Sequence, residues 1–231
     1  MCILNRAVCF AAIMVTIAIT VYIFFGPLAV YIFSKANNLD ISYTSLSVSS
    51  GKFAFGSLNA ADRKTGIGIS SKDARITPLW RGFPAKGGGA IFRLKDVNFT
   101  NRSPGKLASF DSLEGLIAIP FDSRWSYQEI SGKVRSRKDG VDIENFSATS
   151  DEIKFEVSGS VDYDNAINID IKVFFGGKPL EKIPRELTGA LLTDEKDGWK
   201  SLAVRLSGDY KSPSINISSK LFRLNINTIS R

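Results

Sequence analysis

The most constraining feature of the chain is a strict two-residue alternation. Ile153-Lys154-Phe155-Glu156-Val157-Ser158 switches between apolar and polar at every step, and Ile167-Asn168-Ile169-Asp170-Ile171-Lys172-Val173 repeats the pattern. Side chains alternate across a strand, so each run gives one apolar face and one wet face, and no helix satisfies that period. Asp162-Tyr163-Asp164-Asn165 lies between the runs. Asp and Asn bond back to the local backbone and tolerate turn dihedrals, so this segment is a turn. Upstream, Val134 and Val141-Asp142-Ile143-Glu144 flank Arg137-Lys138-Asp139-Gly140, where Asp-Gly signals a hairpin. The stretch from Ile130 to Phe175 therefore predicts a meander of about four antiparallel strands sharing one apolar face.

The same texture extends in both directions. Ile41–Tyr43, Leu46–Val48, an alternating run from Gly51 to Leu58, Ile67–Ile69 and Ala74–Ile76 precede the meander, with Gly, Ser, Asn or Asp between them. Ala90–Leu94, Val97–Phe99 and Leu116–Phe121 continue the strand series, and Leu202–Leu206, Gly208–Pro213, Ile215–Ile217 and Leu221–Ile229 close it. Pro78, Pro84 and Gly87-Gly88-Gly89 predict a loop that carries Trp80 and Phe83. Between Lys178 and Leu192 the period changes: Leu180, Ile183, Leu187, Ala190 and Leu191 recur at three- and four-residue spacing, which predicts one short amphipathic helix limited by Pro184 and Gly189. The expected fold is mainly β, an antiparallel, meander-type curved sheet that forms a groove or a partly open sandwich.

The N-terminus differs from the rest. From Ala7 to Phe33 no residue is charged, and Ile, Val, Ala and Phe dominate. A helix of about 20 such residues crosses a bilayer, so residues 7–33 predict an uncleaved transmembrane signal anchor, interrupted near its outer end by Gly26-Pro27. The expected division is residues 1–36 as cytoplasmic tip and anchor and residues 37–231 as one β-rich domain. The short tail with Arg6 favours an inside N-terminus and an exported body.

The residue inventory excludes much chemistry. Histidine is absent, which removes the commonest general base and the commonest transition-metal ligand. The two cysteines, Cys2 and Cys9, both lie at the extreme N-terminus, so the body has neither disulfide nor thiolate site. Glu144, Glu156 and Asp170 sit on the polar phase of their strands, as solvated carboxylates do. The glycine triplet lacks the helix start and the Lys-Ser/Thr pair of a phosphate cradle. The net charge of +7 is dispersed over turns and polar strand positions, and the phenylalanines fall largely on the apolar phase, which does not make a nucleic-acid platform. The expectation is a protein that is no enzyme and holds no cofactor and no metal.

The run Gly132-Lys133-Val134, Asp139-Gly140-Val141-Asp142-Ile143-Glu144-Asn145-Phe146-Ser147-Ala148 and Val157-Ser158-Gly159-Ser160-Val161-Asp162 resembles the repeating module of AsmA-like envelope proteins. Leu206 to Ile215 is similar to the Gly-x-x-x-x-Pro-x-Ile signature near the end of such chains, and the small size matches the related type II secretion N protein. The resemblance covers most of the chain, although this chain is much shorter than the larger members. It implies a single-pass protein of the bacterial inner membrane with a periplasmic body. Its one-sided sheet would bind or pass phospholipid or another acyl-chain lipid, or assist assembly of the envelope with other envelope proteins. Candidate lipid-facing residues on the apolar phase are Ile143, Phe146, Ile153, Phe155, Val157, Ile167, Ile169, Ile171 and Val173. The alternative is a closed, ligand-free structural subunit of a secretion or envelope machine.

Overall fold

The computed structural model describes residues 27, 30, 31, 34, 35, 38–63, 68–79, 88–100, 110, 112–209, 212–219 and 223–227. Most of the expected anchor at 7–33, and the loop carrying Trp80 and Phe83, lie outside these residues. Among the described residues no helix is long and apolar enough to cross a membrane.

The described strands form one open antiparallel sheet, and the chain is mainly β. Its strands are β1 (Leu39–Tyr43), β2 (Leu46–Ser49), β3 (Lys52–Phe55), β4 (Leu58–Asp62), β5 (Gly68–Ser71), β6 (Asp73–Leu79), β7 (Gly89–Thr100), β8 (Ser126–Ser136), β9 (Gly140–Thr149), β10 (Ile153–Asp162), β11 (Ala166–Phe175), β12 (Thr193–Asp194), β13 (Lys200–Asp209), β14 (Ser214–Ser218) and β15 (Arg223–Asn227). From β7 to β11 each strand pairs with the next, as the alternation and the turn residues predict. β11 then pairs with β13, and β14 and β15 extend the sheet.

The first part of the sheet is less regular in name than in construction. β1 pairs with β4 and β2 with β3 in one continuous register, so they are two halves of one bent hairpin. β5 and β6 likewise pair with successive parts of β4–β3 on one side and of β7 on the other. The bend falls where the inward-facing positions are three residues apart instead of two: Tyr43 and Leu46, Phe55 and Leu58, Ser71 and Ala74, Leu94 and Val97, Tyr127 and Ile130. These pairs are mutually in register, so five strand segments turn the corner together. The expected uninterrupted alternation from Gly51 to Leu58 is corrected by this corner, at which Gly56 and Ser57 separate β3 from β4. Asp96, in the left-handed region at φ 49°, reverses the phase within β7 and lets one strand of 12 residues replace the two short ones expected at 90–94 and 97–99.

Three short α-helices, not one, accompany the sheet between residues 112 and 192. Helix α1 (Leu113–Ala118) and the 3-10 turn Ile119–Phe121 occupy a segment that the apolar run Leu116–Phe121 predicts as strand. A short apolar run fits either structure by periodicity alone. The choice is made by Ser112, whose Oγ accepts from the Gly115 amide at 3.1 Å, and by Pro120, which suits the first turn of the 3-10 segment. The predicted helix at 178–192 is two, α2 (Gly177–Lys182) and α3 (Arg185–Leu191), because Pro184 interrupts it.

All three helices cover the same end of the apolar face. Leu116 and Ile119 are fully buried, as are Tyr127, Ile130, Phe155 and Val173 of the sheet beside them. Ile183, Leu191 and Leu192 are also buried in this core. Pro27, Val30, Tyr31, Ser34 and Lys35 are helical; of these, Val30 packs against the core and Ser34 Oγ donates to the Leu39 carbonyl at 2.8 Å.

Candidate functional site

The cross-strand registers sort the apolar face into rows that run across the sheet. The innermost complete row is Ile130, Ala148, Phe155, Val173 and Leu202, each directly opposite the next and each at most 1% exposed. The next is Phe146, Val157, Ile171, Val204 and Ile217, which grades from half-buried to buried. The third is Val134, Ile143, Gly159, Ile169, Leu206 and Ile215, in which every apolar side chain is half-buried. The fourth is Val141, Val161 and Ile167, also half-buried. Burial thus falls steadily from the helical end toward the turns at 137–139 and 163–165.

This gradient divides the nine residues expected to face lipid. Ile153, Phe155 and Val173 are fully buried and Ile171 is 8% exposed, so these four are core and not an accessible lining. The physical reason is the helical end: Leu116, Ile119, Ile183 and Leu191 join the same core, and Phe121 of the 3-10 turn meets Phe155. Phe146, Val157 and Ile169 are half-buried against that core, whereas Ile143 and Ile167 are half-buried outside it. The exposed part of the face is wholly aliphatic, with no ring, amide or charge among the half-buried residues of its last two rows.

An aromatic cluster marks the transition. Phe155 stacks on Phe146 with ring centroids 5.6 Å apart, and meets Tyr127 at 5.4 Å and Phe121 at 5.2 Å. Tyr127 is fixed from behind: its buried hydroxyl donates to the Pro120 carbonyl at 2.7 Å. Burial, with a smaller contribution from the Asp122 carboxylate, pushes the Tyr127 phenol well above its ordinary pKa, so it stays neutral and donating. The sequence gives little signal for this cluster, because its members come from the 3-10 turn, β8, β9 and β10, with Phe99 of β7 5.9 Å from Tyr127.

A local irregularity shapes the half-open rows. Asn145, in the left-handed region at φ 51°, is one extra residue on β9 relative to both neighbouring strands. The bulge keeps Ile143 on the apolar face despite its odd spacing from Phe146 and Ala148. Opposite it Gly159 has φ 139°, and a Cβ there would lie 2.1 Å from the Asn168 carbonyl oxygen.

The opposite face is polar and largely self-neutralising. Arg205 forms two bonds to Asp170, at 2.6 and 2.9 Å, and Lys133 and Arg135 share Glu144 at 2.8 and 3.2 Å. The Lys133 bond holds the Glu144 carboxyl below its usual range, and Asp170 raises the Arg205 guanidinium. The twist of the sheet leaves an open concavity of about 930 Å³ here, floored by Glu156, Ser158, Asp170, Lys172 and Arg205. Its charges pair across strands, as on an ordinary solvated face. No cluster among the described residues has the donors for a metal ion.

No family model matches the chain, and no curated protein or solved structure is similar to it.

Proposed function

We propose that the chain is a membrane-anchored envelope protein whose half-buried aliphatic rows hold the acyl chain of a lipid. One observation carries this reading: the half-buried rows continue a dry core without a break, and at their far end Val141, Ile143, Val161 and Ile167 keep part of their surface open outside that core. Isolated surface leucines need no explanation, but a contiguous apolar patch does. Its composition favours an alkyl ligand over a protein partner. Protein interfaces draw their energy from Trp, Tyr and Arg anchors, whereas Val134, Val141, Ile143, Val161, Ile167, Ile169, Leu206 and Ile215 offer only hydrocarbon. The resemblance of residues 132–162 to the AsmA-like module, and the uncharged N-terminal run, agree with a lipid-handling role beside a membrane.

The test is extraction of the full chain in mild detergent, followed by mass spectrometry of co-purifying lipid. Wild type is expected to retain lipid, Ile167→Ser with Ile169→Ser to lose it, and Arg205→Ala on the polar face to retain it. Lipid-free wild type, or equal lipid in the double variant, would sink the reading. The fully packed row through Phe155 and Val173 equally suits a ligand-free structural subunit, and that reading would then stand.

A further inference from the structure

We propose that the polar face of the sheet holds a binding site for a neutral oligosaccharide, in the recess between the Asn145 bulge and β14. The site lies opposite the aliphatic rows and does not depend on what those rows hold.

The recess has a volume of about 930 Å³, within the range of ligand sites. From Asn145 on β9 to Asn216 on β14 it crosses four strand-to-strand steps. At ~4.8 Å each these span about 19 Å. Short side chains keep it open: Ser147, Ser158, Ala203 and Ser218 line it where longer residues would fill it. A second recess of about 360 Å³ continues the first, sharing Ser147 and Glu156 and reaching Trp199, so the surface suits an extended ligand.

The bulge builds one wall. Phe146 pairs with Val157 and Ile143 with Gly159, so β9 sets both Glu144 and Asn145 against Ser158. Glu144 turns to Lys133 and Arg135 on β8, which leaves Asn145, held at φ 51°, to line the recess. A non-glycine residue in this region carries backbone strain, and such strain concentrates at binding sites.

The chemistry of the lining selects the ligand. Asp170 is taken by Arg205, and Lys172 by Glu195 at 2.8 Å. Asn145, Glu156, Ser158, Asn216 and Ser218 then keep hydrogen-bonding capacity, their side chains having no partner among the described residues. The amides and hydroxyls both donate and accept, as the hydroxyls of a sugar do in return. Glu156 is the lining carboxylate left over, and it repels an anion. One unpaired carboxylate is too few oxygens for a hard cation, and an alkyl chain would strip water from polar groups without replacing their bonds. A neutral polyhydroxylated chain fits what remains, and the width of about 19 Å calls for several rings instead of one.

The experiment is calorimetric titration of the full chain, in a detergent without a sugar headgroup, with chitohexaose, maltohexaose and a sulfated heparin hexasaccharide. At least one neutral hexasaccharide is expected to bind with a Kd of ~1 mM or tighter, and its monosaccharide roughly tenfold more weakly. Asn216→Ala, and Asn145→Gly, which keeps the bulge because glycine adopts its φ freely, should each weaken binding roughly fivefold, the loss of one hydrogen bond. Ser158→Trp, checked for folding by circular dichroism, should fill the recess and abolish binding. Ile167→Ser on the opposite face should leave it unchanged. Binding of neither neutral hexasaccharide, or of heparin alone, would overturn the site. So would full affinity in Asn216→Ala and Asn145→Gly together, or in a folded Ser158→Trp.

Discussion

Tyr127 shows how much one side chain can fix at the residue scale. Its ring touches Phe99 and Phe155, and its hydroxyl donates to the buried Pro120 carbonyl of the 3-10 turn. Tyr127→Phe keeps the ring and strands the Pro120 oxygen in a dry site. It is expected to cost about 1–3 kcal/mol in urea unfolding, the desolvation penalty of an unsatisfied buried acceptor. Two residues past Pro120, Asp122 accepts from the Arg124 backbone amide at 2.8 Å and from its guanidinium at 2.9 and 2.7 Å. The guanidinium bond is the main cause holding the carboxyl below its ordinary value, against an opposing effect of burial. A carboxyl depressed in the folded state adds stability that is present above its unfolded pKa, about 4, and lost as pH falls through the folded value. Asp122→Asn should therefore be less stable than wild type at neutral pH, with the gap closing as unfolding is followed down to about pH 2.

At the scale of the element, the strands obey their sequence except where geometry demands a special residue. Gly159 sits opposite the Asn145 bulge at a φ that L side chains rarely adopt, and Asn168 blocks the space a Cβ would need. Gly159→Ala is expected to destabilise by at least ~2 kcal/mol in chemical unfolding, since backbone strain and a steric clash act together. Gly189 makes the contrast. It lies within α3, and a Cβ there meets nothing within 4 Å. Gly189→Ala is expected to stabilise by about 0.5–1 kcal/mol, because alanine loses less backbone freedom in a helix.

For the whole molecule, the division between a dry half and a half-buried half of one apolar face is the property on which the proposed function rests. Phe155 and Ile167 both belong to the alternating runs and to the same face, six positions of register apart in β10 terms. Their consequences differ because only one has neighbours on every side. Phe155→Ala is expected to cost about 3–5 kcal/mol, the range for emptying an aromatic site in a core. Ile167→Ser, at the half-buried rim, is expected to cost about 1 kcal/mol or less and to act on lipid retention instead. Thermal unfolding of the two variants beside wild type checks the pair; similar losses would mean that the far rows are covered.

Much of this was legible in the residues. The alternation through Ile153–Ser158 and Ile167–Val173, the Asp139-Gly140 turn and the Asp162–Asn165 turn determine strands, their order and which face each side chain takes, because backbone stereochemistry ties side-chain direction to sequence position. The half-period break that makes the corner is also written there, in pairs such as Phe55 and Leu58, but it has meaning only once five strands align it. What the sequence left undecided is which apolar residues stay dry. A two-residue period assigns Ile153 and Ile167 to one face in the same way. Only the tertiary structure separates them, since burial depends on what arrives from elsewhere in the chain: Ile153 lies in the core that Leu116 and Ile119 join, and Ile167 stays half-buried outside it.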